Sequence, residues 1–144
     1  MNYRNNLQRF KIAQGNGQYE KALAEIKRGR KESCWMWYIF PQLEFQRCSE
    51  ISKHYAIRGL KEAKAYLKDP ILGKRLSEIT KALLELESDN ATEIMGMPDD
   101  MKLKSSMTLF QMAGPRHPEF EQVLEKFFGG EKDKKTLDIL KMNR

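Results

Sequence analysis

Apolar residues recur every three or four positions along most of the chain, which is the spacing that places them on one face of a helix. The clearest example is the segment 70–87. Its apolar stripe is formed by Leu72, Leu76, Ile79, Leu83 and Leu86. Asp69 is a natural N-cap, and Pro70 suits the first helical position. The pattern therefore predicts a helix over 70–87 that buries one face against a partner helix.

Further helical segments lie between capping and breaking residues. They are predicted at 17–28, about 49–58, 60–68, a brief turn near 90–96, 98–113, 118–128, and after Asp133. No segment alternates polar and apolar residues as a half-buried strand would. The sequence therefore predicts an all-α fold. We expect a compact multi-helical single domain over residues 1–144, with a buried aromatic segment, residues 35–40, between helices.

The aromatic segment lies within "SCWMWYIFPQ", residues 33–42, where periodicity alone does not decide between helix and strand. Both faces are apolar in either conformation, so we expect most of the stretch to be core. A membrane-surface strip would need one polar face, which this stretch lacks. Buried Trp N–H and Tyr O–H groups need partners, and a Trp pair is a suitable wall for a planar ligand. One or two of these rings are therefore candidates to line a pocket.

The chain is basic: the formal net charge of its 144 residues is +6. The densest basic cluster comprises Lys27, Arg28, Arg30 and Lys31, just before the aromatic stretch. Such a cluster attracts phosphate, nucleic acid or anionic lipid. It is also what a solvated helix end prefers, since cations stabilise the carboxyl end of a helix.

The remaining composition narrows the class of protein. The first dozen residues lack the apolar core of a signal peptide, and no apolar run is long enough to span a bilayer. We therefore expect a cytoplasmic, monomeric protein without a membrane partner, in which Cys34 and Cys48 are free thiols. The spacing of the cysteines with His54 and His117 matches no metal site, so we expect neither a metal nor a cofactor.

The stretch "PDDMKLKSSMTLF", residues 98–110, is the second dense motif. On a helix, Lys102 and Ser106 lie one turn apart, and Lys104 and Thr108 do likewise. Lysine ammonium groups beside small hydroxyl groups can hold a phosphate or a carboxylate. The alternative is that Ser105 and Ser106 only let another helix approach closely. The sequence leaves both interpretations open.

No known catalytic arrangement is present, since the chain lacks a G-x-S-x-G elbow, a phosphate-binding P-loop and a Gly-rich dinucleotide turn. Asp99 and Asp100 could form a paired-carboxylate site. Such a pair is more often an N-terminal cap that complements the helix dipole. Whether the protein is an enzyme is therefore not decided by its sequence.

Four motifs together resemble the bacterial "domain of unknown function 1810" family, which sometimes carries the label calpastatin that this sequence does not support. The motifs are "GRKESCWMWYIFPQL", "HYAIRGLKEAKAYLKDPILGKRL", "PDDMKLKSSMTLF" and "FFGGEKDKKTLDIL". The resemblance covers residues 7–140 and implies a compact, multi-helical, cytoplasmic, monomeric protein with no assigned activity. The family usually has His at position 34 and His-Pro at positions 69–70, where this chain has Cys34 and Asp69-Pro70. Because the reference pKa values of a thiol and an imidazole differ by about 2, Cys34 cannot simply replace a histidine base, and we expect no obligatory catalytic role at position 34.

Three hypotheses about function remain. The first is a pocket that binds, and can process, a small phosphate-bearing ligand such as a nucleotide or an ADP-ribose-like compound. Its predicted ligand-binding residues are Trp35, Trp37, Tyr38, Gln42, Lys102, Lys104, Ser105 and Ser106. The second is a nucleic-acid-binding module in which Arg28, Arg30 and Lys31 contact phosphates, although no known nucleic-acid motif supports it. The third is a helical protein-interaction domain with an exposed apolar patch.

Overall fold

The computed structural model describes residues 3–44 and 49–142, and this part of the chain forms ten helices. They are α1 Tyr3–Ala13, α2 Gln18–Lys27, α3 Met36–Ile39, α4 Glu50–Tyr55, α5 Leu60–Lys68, α6 Leu72–Leu84, α7 Ala91–Met95, α8 Asp99–Ala113, α9 Pro118–Phe128 and α10 Lys134–Met142. The described ranges contain no sheet, and one isolated parallel bridge joins Leu43 to Ile57. The all-α prediction is confirmed. No helix within these ranges has the length and apolar character needed to cross a bilayer.

Side-chain caps mark the starts of several helices, and the predicted cap Asp69 is one of them. The Asp69 carboxylate accepts the backbone N–H groups of Ile71 and Leu72, each at 3.0 Å, where α6 begins. Ser49, Asn90 and Asp133 accept backbone N–H groups in the same way at α4, α7 and α10. These contacts satisfy donors that have no partner inside the helix.

Helix α8 lies at the centre of the molecule and packs against α5, α7, α9 and α10. Its residues from Leu103 to Phe110 are all buried. Small side chains such as Ser105 and Ser106 let the surrounding helices approach closely, because they add little volume between the backbones. Because buried positions lie on every side of α8, the helix shows almost no amphipathic pattern. It contains Lys104, Ser105 and Ser106, which are called the Lys-Ser-Ser motif below.

The aromatic segment lies between helices, as predicted. Trp35 and Phe40 are each 1% exposed, and α3 between them is a single helical turn. Trp37 and Tyr38 are half-buried, and the indole ring of Trp37 and the phenol ring of Tyr38 therefore keep a partly accessible surface. Most of the stretch is core, and two of its rings reach the surface.

Candidate functional site

Two lysines share one carboxylate at the amino end of α8. Lys31, which follows α2, places its Nζ atom 2.9 Å from Asp99 Oδ2. The Nζ atom of Lys102 lies 3.4 Å from Asp99 Oδ1. The Lys31 side chain is 9% exposed and that of Lys102 is 26% exposed. These three residues, called the lysine cluster below, carry one excess positive charge.

Each ammonium group of the lysine cluster also lies over a tryptophan ring. Lys31 Nζ is 5.0 Å from the ring centroid of Trp35, and Lys102 Nζ is 4.9 Å from that of Trp37. At this distance the negative face of the ring attracts the cation. The Trp37 N–H donates to Ser52 Oγ of α4 at 3.0 Å, which fixes the plane of the indole. The structure thus joins the aromatic segment to the Lys-Ser-Ser helix.

Glu25 of α2 holds the loop that carries Lys31. Glu25 is 1% exposed, and its carboxylate accepts four hydrogen bonds. The donors are the backbone N–H groups of Glu32 and Ser33, the Ser33 hydroxyl and the Trp35 indole N–H, at 2.6 to 2.9 Å. Burial by itself raises the pKa of the Glu25 carboxyl, but these hydrogen bonds outweigh burial and lower the pKa to about 2. The loop is therefore built around a charged, buried carboxylate.

Lys104 has different partners from Lys102. Its ammonium group bonds to Glu131 and lies 5.9 Å from the ring centroid of Phe128. Two positions along a helix correspond to a rotation of about 200°, so these two lysines point to different sides of α8. Lys104 is therefore part of the contact between α8 and the segment that follows α9.

The two serines of the motif are buried in the helix packing. Ser105 is 7% exposed and Ser106 is 0% exposed. Within the described residues, the Ser106 hydroxyl has no hydrogen-bond partner. Both serines therefore act as small residues in close packing.

Tyr38 and Gln42 lie in their own surroundings. The Tyr38 hydroxyl is 3.3 Å from Gln18 Oε1, and its ring centroid is 5.5 Å from that of Tyr55. Burial raises the pKa of Tyr38. The half-buried Gln42 accepts the Ile57 N–H at its backbone oxygen, at 2.8 Å. Of the eight predicted residues, the structure brings Trp35, Trp37 and Lys102 together and gives the others different neighbours.

The acidic pair does not form a two-carboxylate site. Asp99 binds the two lysines, whereas Asp100 accepts the Thr92 hydroxyl at 2.6 Å. Cys34 is an exposed free thiol, and Cys48 lies outside the described residues. Over residues 3–44 and 49–142, no three His, Cys, Asp or Glu side chains are grouped to hold a metal ion.

Sequence reasoning missed Glu25 and Ser52. Glu25 carried a usable signal, because it lies on the same helical face as Ala22 and Ile26, both of which are 0% exposed. A carboxylate on an otherwise apolar face is buried at a cost unless several donors meet it. Ser52 gave no comparable signal, because its contact with Trp37 spans two elements.

Comparison with known proteins gives two similarities. A family model described as "protein of unknown function (DUF1810)" matches residues 4–140. The chain is also similar to the conserved hypothetical protein Rv1873 from Mycobacterium tuberculosis, whose crystal structure is known. The two sequences are 41% identical, and the two structures superpose with a TM-score of 0.90. The alignment covers 94% of this chain and 96% of that chain. No curated protein matches the chain. Neither description names an activity.

Proposed function

Because this chain belongs to the DUF1810 family of proteins of unknown function, we propose its function from the site: it binds a small phosphate-bearing ligand with a planar base, such as a nucleotide, at the lysine cluster and Trp37. One observation carries the proposal. Two lysine ammonium groups converge on a single carboxylate beside a partly accessible tryptophan ring. This arrangement offers a positive charge for a phosphate and a flat surface for a base.

The two lysines have different roles in the proposal. Lys31 is held by Asp99 and by the Ser33 carbonyl oxygen, which accepts its ammonium group at 2.5 Å. It therefore remains as a fixed positive charge. Lys102 makes the longer contact to Asp99 and is more exposed. Its ammonium group is the one that turns from the carboxylate to a phosphate oxygen, where a charge-assisted hydrogen bond replaces the ion pair.

Trp37 supplies the surface for the base. Stacking of a base on an aromatic side chain contributes about 1–3 kcal/mol. The hydrogen bond to Ser52 keeps the indole in one orientation, so little freedom is lost on binding. Lys102 lies over the same ring, and its movement toward a phosphate uncovers the face that a base then contacts.

The surrounding charge favours an anionic ligand. Lys27, Arg28 and Arg30 are exposed on the segment that leads to Lys31. Among the described residues, Arg28 makes one ion pair, with Glu32, at 3.8 Å between two side chains that are more than half exposed. Exposed cations of this kind raise the local potential and speed the approach of an anion, and the effect weakens as salt is added.

Thermal unfolding in the presence of AMP, adenosine or inorganic phosphate tests the proposal. AMP should raise the unfolding temperature more than either partial ligand at equal concentration, because it alone uses both the lysines and the ring. Lys102→Gln and Trp37→Ala should each reduce the AMP shift, and Lys64→Gln, an exposed lysine of α5, should leave it unchanged. This site would be excluded if AMP raised the unfolding temperature no more than phosphate does, or if AMP raised it equally in Lys102→Gln, Trp37→Ala and Lys64→Gln.

A further inference from the structure

A cavity lies between α1 and α5, with a volume of about 460 Å³. Volumes of 300–1,000 Å³ are typical of sites for small molecules. Most of its surface is apolar, and it shares no residue with the lysine cluster. The lining consists of Leu7, Gln8, Lys11, Ala65, Lys68, Asp69 and Pro70. This cavity is called the α1–α5 cleft below.

The only carboxylate in the lining is already fully engaged. Asp69 Oδ2 is 2.7 Å from Lys11 Nζ, and Asp69 Oδ1 accepts the N–H groups of Ile71 and Leu72. These contacts, against the cost of burial, lower the pKa of Asp69, so it stays charged and bonded. A cationic ligand would find no carboxylate oxygen free of a donor in the cleft.

The lining does offer an unpaired cation. Lys68 is exposed, and in the described part of the chain it makes no ion pair. Since Lys11 and Asp69 neutralise each other, the lining keeps one net positive charge, that of Lys68. Leu7, Ala65 and Pro70 contribute the apolar part of the lining.

We propose that the α1–α5 cleft binds a small monocarboxylate with a compact hydrocarbon or aromatic body. The carboxylate meets Lys68, and the body displaces water from the apolar side chains of the lining. A single unpaired cation matches a singly charged ligand better than a polyphosphate, which would leave most of its charge unpaired. This site is independent of the nucleotide site proposed above, because the two use different residues.

Titration of the full chain with benzoate, followed by amide chemical shifts, tests the second site. Benzoate should shift the amides of residues 7, 65 and 68 saturably, and benzyl alcohol, its neutral analogue, should bind more weakly. Lys68→Gln should weaken benzoate binding about three- to fivefold, the size of an exposed ion pair. Ala65→Phe, which fills the cleft, should abolish it.

Lys64→Gln is the matched control, because Lys64 is exposed one turn earlier on α5. It should leave benzoate binding unchanged. Three results would each overturn the second site: equal binding of benzoate and benzyl alcohol, equal effects of Lys64→Gln and Lys68→Gln, or saturable binding that survives in a folded Ala65→Phe variant. None of these results bears on AMP binding at Trp37, so the two proposals fail separately.

Discussion

Replacing Glu25 with Gln should destabilise the protein strongly, although the two side chains have the same shape. The amide oxygen can still accept the indole N–H of Trp35 and the backbone N–H groups that now meet Oε1. The charge is lost, however, and the Ser33 hydroxyl must turn to accept a hydrogen bond in place of donating one. The substitution thus removes the charge and leaves the packing nearly intact.

The size of the effect follows from the pKa of Glu25. Its ordinary value of 4.5 is lowered to about 2 in the folded protein. A difference of this size means that folding favours the charged form by about 3 kcal/mol, at 1.36 kcal/mol for each pKa unit. Gln resembles the protonated form, so Glu25→Gln should lose about 3 kcal/mol of unfolding free energy at neutral pH.

Urea unfolding as a function of pH checks this magnitude and its sign. Because the folded pKa lies below the unfolded one, the stabilisation is complete above about pH 5 and is lost as the pH falls toward 2. The stability difference between the wild type and Glu25→Gln should therefore shrink over this range. Glu20→Gln, exposed on the same helix, should cost little at any pH.

A loss below about 1 kcal/mol at neutral pH, or a difference that stays constant from pH 5 to pH 2, would refute the reasoning. Either result would mean that the four donors do not hold a charged carboxylate. A folded Glu25→Gln variant should also bind AMP less well, since the loop that positions Lys31 depends on Glu25.

Two further substitutions test the packing. Gly73→Ala should lower the free energy of unfolding by about 3 kcal/mol, the upper end for overpacking, because the new Cβ would lie 2.1 Å from the Leu67 carbonyl oxygen. Urea unfolding measures this loss. A loss no larger than that caused by Lys74→Ala, at an exposed position, would contradict the prediction. Ser106→Ala should leave stability unchanged or raise it by up to about 1 kcal/mol, because the buried hydroxyl has no described partner. A clear fall in its unfolding temperature would mean that a water or ligand binds the hydroxyl.

Local signals in the sequence were sufficient for most helices. The stripe of α6 is regular, and Leu72, Leu76, Ile79 and Leu83 are all buried as predicted. The helix itself runs over Leu72–Leu84, shorter at both ends than the predicted 70–87. Helix α1 was missed, since its described buried apolar residues are only Leu7 and Phe10, too few to show a period.

The site was less predictable, because it depends on which helices meet. Spacing placed Lys102 and Lys104 in one motif but gave no information on which of them faces Trp37. The structure pairs Lys102 with that ring and Lys104 with Glu131. Such contacts depend on the direction in which α8 enters the core, and that direction is set by all its neighbours together.

The most direct test compares AMP binding by calorimetry in the wild type, Lys102→Gln and Lys104→Gln. The two lysines lie on the same helix, and only Lys102 belongs to the lysine cluster. Loss of a charge-assisted contact to phosphate costs about 1.5–3 kcal/mol, so Lys102→Gln should weaken binding by about tenfold or more. Lys104→Gln should bind AMP as the wild type does. Equal weakening in both variants, or undiminished binding in Lys102→Gln, would contradict the proposed site.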